Sequence, residues 1–153
     1  MKLQECRLVA PTGGTDIGGL RARYGWLQLL AAVSRRCTRF AVPSAAPSET
    51  RPPRRWQADD LLDLLRLTGS TDQGGQLTGA ITPATMAIIM AADTGVLGEL
   101  CALPELRLYQ GDDLILECHD RGAGVMVRLS DQEIADLQSI GLAEFLVFAK
   151  SNE

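Results

Sequence analysis

The residues that most restrict the fold lie between Leu106 and Leu129, where the chain reads LRLYQGDDLILECHDRGAGVMVRL. Apolar and polar residues alternate with a period of two, the spacing of a β-strand with one face in a core. Leu106 and Leu108, then Leu114, Leu116 and Cys118, then Val125, Val127 and Leu129 fall on one face. Arg107, Ile115, Glu117, His119, Met126 and Arg128 fall on the other. The parity survives two turns, QGD and RGAG, so a three-stranded antiparallel meander is predicted. The register that keeps the faces together pairs Leu108 with Leu114, Leu116 with Leu129, and Glu117 with Arg128.

Helical signals surround this meander. WQADDLLDLLRLTG predicts a helix from about Gln57 to Leu67, with Asp59 and Asp60 in the first turn and Gly69 as its stop. Thr82 and Pro83 begin a second helix that reaches about Ala92, and its run Met86, Ile88, Ile89, Met90 assigns it to the core. VLGELCALP reads as a further short helical stretch ended by Pro104. Ser130-Asp131-Gln132-Glu133 is a capping box that opens a helix to about Ile140, stopped by Gly141. Residues 144–150 read as a last strand, with a continued helix as the alternative. The expected fold class is α+β: N-terminal helices followed by β-β-β-α-β, with a small, mainly antiparallel sheet and helices packed on one face.

Charge divides the chain in two. Residues 1–55 hold ten basic and three acidic residues, net +7, whereas residues 56–153 hold five basic and sixteen acidic, net −11. Together with the clusters TGGTDIGG, AVPSAAPS and RPPRR, this predicts a basic leader over 1–55 and an acidic α+β domain over 56–153. The leader reads as a largely disordered tail or as an organelle transit peptide, which places the protein in the cytoplasm or in a plastid or mitochondrion. Its best periodic piece, Tyr24–Val33, is a short helix with Trp26, Leu27, Leu30 and Val33 on one side. At ten residues it is too short for a membrane span, and none is expected. Nucleic-acid contact is expected only through this leader, because the acidic domain opposes it.

Cys118, His119 and Asp120 stand side by side, and His119 is the single histidine of the chain. Successive strand residues point to opposite faces, so Cys118 and His119 cannot converge on one reacting atom. The four cysteines are spaced 31, 64 and 17 residues apart, which is neither a zinc-site spacing nor a dense disulfide framework. Metal and cofactor are therefore not expected.

The functional expectation is a non-enzymatic interaction or assembly module that binds a protein partner, self-association included, through the acidic domain. Tyr109, Ile115, His119, Met126 and Arg128 are the candidate surface, because aromatic, methionine and arginine side chains mixed with charges are typical of interfaces. The alternative is a small-molecule binding domain or enzyme that uses the Gly-rich loop 70–79 and the helix N-terminus at Thr82, where an anion could sit.

Overall fold

The structure of the chain, a computed structural model, describes residues 2–8, 16–45, 58–92, 100–140 and 146–148. The elements in order are β1 (Leu3–Leu8), α1 (Asp16–Ser34), β2 (Arg39–Pro43), α2 (Ala58–Leu67), β3 (Thr71–Gln73), β4 (Gln76–Ala80) and α3 (Pro83–Met90). They continue with β5 (Glu105–Gln110), β6 (Asp113–His119), a 3-10 turn at Asp120–Gly122, β7 (Gly124–Ser130), α4 (Asp131–Ser139) and β8 (Leu146–Phe148). All strands join one antiparallel sheet in the order β3-β4-β2-β5-β6-β7-β1-β8.

This corrects the expected fold class. The sheet is not small, having eight strands, and the chain opens on a strand instead of N-terminal helices. The predicted β5-β6-β7 meander is its middle, flanked on one side by β2 and on the other by β1, both supplied by residues assigned above to a leader. The physical reason lies in which side chains carry the charge. In β1, Glu5 and Arg7 face outward while Cys6 is fully buried opposite Val127. In β2, Arg39 faces outward while Phe40 and Val42 are buried opposite Leu108 and Leu77. An outward arginine costs nothing to a strand that buries alternate residues, so a basic composition does not exclude a segment from the core.

α1 contains the predicted Tyr24–Val33 helix and buries Trp26, Leu29, Leu30 and Val33. α2 adds Leu61, Leu62 and Leu65, α3 adds Met86 and Ile89, and α4 adds Ile134 and Leu137, all to one apolar core with the inner face of the sheet. No described helix is long and apolar enough to cross a membrane. Opposite charges from the two halves of the chain meet here: the Arg36 guanidinium, just past α1, lies 3.0 Å from a carboxylate oxygen of Glu133 on α4. Glu133 also closes the capping box on Ser130, as its spacing predicts.

Two local readings change and a third holds. Residues 70–79 are not a loop but the β3-β4 hairpin, turning at Gly74 and Gly75, whose φ values of 59° and 79° are those of a tight hairpin turn. Residues 100–104 form no helix and instead lie along the 3-10 turn, with Leu100 N–H donating to Arg121 O at 2.8 Å; residues 93–99 lie outside the described residues. Residues 146–148 are strand, and the remainder of 144–150 lies outside the described residues.

The meander keeps its predicted faces but slides in register. Leu108 pairs with Leu116, Leu116 with Val127 and Glu117 with Met126, each shifted by two from expectation. An even shift leaves side chains on the same face, which is why alternation alone could not detect it. A bulge at Leu108/Tyr109 then reverses Leu114 and Ile115. Leu114 sits opposite the outward Tyr109, and Ile115 turns into the core at 1% exposure.

Candidate functional site

The helices cover one face of the sheet, so the functional question falls on the other. Cross-strand register lines up a row on this outer face: Arg7 beside Met126, Met126 beside Glu117, Glu117 beside Arg107, Arg107 beside Ala41, and Ala41 beside Thr78. Side chains of six adjacent strands thus share this face, although Ala41 on β2 is itself buried. Within it the Arg107 guanidinium lies 3.8 Å from the Glu117 carboxylate, and His119 Nε2 contacts the same carboxylate oxygen. Glu105 stands directly across from His119. Beside this row the Arg39 guanidinium sits 4.1 Å over the Tyr109 ring, a cation-π contact.

Of the five residues expected on the surface, four are there. Tyr109, His119 and Met126 are half-buried on the outer face, and Arg128 is exposed opposite Glu5. The fifth, Ile115, is removed to the core by the bulge, and Leu114 takes its place. Sequence reasoning missed Arg7 and Arg39. The signal was present, since QECRL and RFAV each alternate, but the stretches are short and were outweighed by the charge of the surrounding segment.

The Cys-His-Asp triplet is dispersed. Cys118 is fully buried between Leu106 and Val125 in the core, whereas His119 faces outward to Glu117. Burial pushes the Cys118 thiol far up, and the neighbouring Cys101 adds to the effect, so no thiolate nucleophile is held there at neutral pH. Asp120 and Arg121 take left-handed backbone at φ 50° and 54°, and Gly122 follows at 101°, so this turn carries backbone strain. Among the described residues no group of three or more His, Cys, Asp or Glu side chains is placed to hold a metal.

The Gly-rich segment and Thr82 do not form a cradle either. Gly74 and Gly75 lie at the tip of an edge hairpin with no neighbouring atom within 4 Å of a Cβ built on either. At the start of α3, Thr85 N–H donates to Thr82 Oγ1 at 3.2 Å and Thr82 N–H donates to Thr85 Oγ1 at 2.8 Å. That reciprocal cap occupies donors an anion would need. Comparison with family models, with curated proteins and with solved structures finds no match to this chain.

Proposed function

We propose that this protein is a non-enzymatic interaction module that binds a protein partner through the outer face of its sheet. One observation carries the reading: among the described residues the four helices pack their apolar side chains into one core with the inner face of an eight-stranded sheet, and the other side of that sheet is a mixed apolar and charged surface that includes Met126. Arginine, tyrosine and methionine are the residue types that interfaces favour, and here Arg39, Arg107, Tyr109 and Met126 are fixed by stacking, ion pairing and cross-strand contact before any partner arrives. Such preorganisation lowers the side-chain entropy lost on association.

The test is affinity capture from an extract of the source cells with the wild-type chain and with Met126→Asp, after checking that both melt alike. A stoichiometric protein held at moderate salt by the wild type and lost with Met126→Asp supports the reading. Equal capture by both, or no capture together with a metabolite that raises the melting temperature, overturns it in favour of a small-molecule site.

A further inference from the structure

Among the described residues a second exposed surface lies on the helical side of the molecule. α2 buries Leu61, Leu62 and Leu65, yet its far side is not purely polar: Leu67 is 84% exposed and Leu64 is 38% exposed. With Asp60 and Asp63 these two leucines occupy positions i, i+3, i+4 and i+7, so they form one stripe of apolar residues flanked by carboxylates. Arg66 pairs with Asp63 at 3.1 Å and approaches Asp72 at 3.9 Å, which leaves the α2 edge acidic by two charges.

The outer face of the sheet has the converse pattern. Arg7 stands beside Met126 across the strands, and Arg128 lies two residues along β7 on the same face. Met126 is therefore flanked by two exposed cations, with Glu5 opposing Arg128, and with Glu117 on its β6 side engaged by Arg107 and His119. A ten-residue helix is about 15 Å long, enough to lie across β1 and β7, the two adjacent strands that carry Arg7, Met126 and Arg128.

We propose that α2 of one copy docks across the outer sheet face of a second copy, the leucines against Met126 and the aspartates toward Arg7 and Arg128. This rests on the reading of the sheet face as a partner surface and names its occupant. The two surfaces differ and lie on opposite sides of a two-layer molecule, so they cannot meet within one chain. The contact is heterologous: each added copy presents a fresh surface, and association continues past the dimer, into a ring where the rotation closes and a filament where it does not.

Sedimentation over about a hundredfold range of protein concentration, at low and high salt, reads this directly. The wild type is expected to rise in average mass past the dimer, and to fall back at high salt. Asp60→Asn with Leu67→Ser in one variant, and Arg7→Glu with Arg128→Glu in another, should each remain monomeric while melting like the wild type. Mixed in equal amounts, these two variants retain one good surface each and should stop at dimer mass. A wild type that is monomeric throughout, or that stops at the dimer, overturns the proposal, as does a mixture that stays monomeric. A monomeric wild type whose capture of a different protein is still lost with Met126→Asp would sink the self-docking and leave the sheet-face reading standing.

Discussion

Removal of residues 1–55 is expected to unfold the protein, not to release an independent acidic domain. The topology gives the first reason. β4 is joined to β5 only through β2, and β8 is joined to β7 only through β1. Without β1 and β2 the sheet falls into three pieces, a β3-β4 hairpin, the β5-β6-β7 meander and an isolated β8. Packing gives the second. The deletion takes away Cys6, Trp26, Leu29, Leu30, Val33, Phe40 and Val42, all of them buried. Burial is mutual, so Leu77, Leu108 and Val127 lose their cover while their own chain still has to be ordered. Side chains of this kind contribute about 1.5–3 kcal/mol each when fully buried. The apolar loss therefore exceeds about 10 kcal/mol, against a total stability of about 5–15 kcal/mol for a domain. Urea unfolding followed by far-UV circular dichroism on chains 1–153 and 56–153 measures it. A cooperative transition in the short chain with a midpoint near that of the full one would refute the reasoning. The same result bears on targeting, because cleavage near residue 55 would remove two internal strands of the sheet.

Three further outcomes follow from single positions. Gly122→Ala forces a Cβ to 2.5 Å from Leu100 Cβ at a backbone φ of +101°; the expected loss is about 2–5 kcal/mol by chemical denaturation, combining left-handed strain and overpacking. Ile115→Ala should cost about 2–4 kcal/mol because the bulge buries it, whereas Met126→Ala on the outer face should cost under about 1 kcal/mol; equal effects would place the bulge wrongly. Burial pushes the thiols of Cys37 and Cys101 up from the ordinary value of 9.0 to about 11. Folding keeps these thiols protonated, so their contribution is complete below pH 9.0 and is lost as pH rises through about 11. The urea midpoint should fall across that interval, and less steeply in Cys101→Ala; a flat profile would contradict the burial of both thiols.

Local rules were readable wherever a decision depended on residues close together in sequence. The capping box at Ser130 and Glu133, the Thr82-Pro83 start of α3, and the separation of Cys118 from His119 to opposite faces each follow from spacing within a few residues. Which side chains face outward was mostly legible for the same reason, because alternation placed Tyr109, His119, Met126 and Arg128 outward. Ile115 was not, since a bulge is set by how two strands meet and leaves no mark on the alternation of either.

Alternation in β5, β6 and β7 was enough to require a sheet with one wet face, whatever joined it. Which strands completed that sheet was settled by long-range pairing: Cys6 against Val127, Phe40 against Leu108 and Arg36 against Glu133 link residues about 70 to 120 apart. Net charge along the chain misled because it sums over both faces of every element, whereas folding sorts side chains by face. Arg7 and Arg39 lie on outward positions of β1 and β2, and these strands are held by the buried residues that alternate with them.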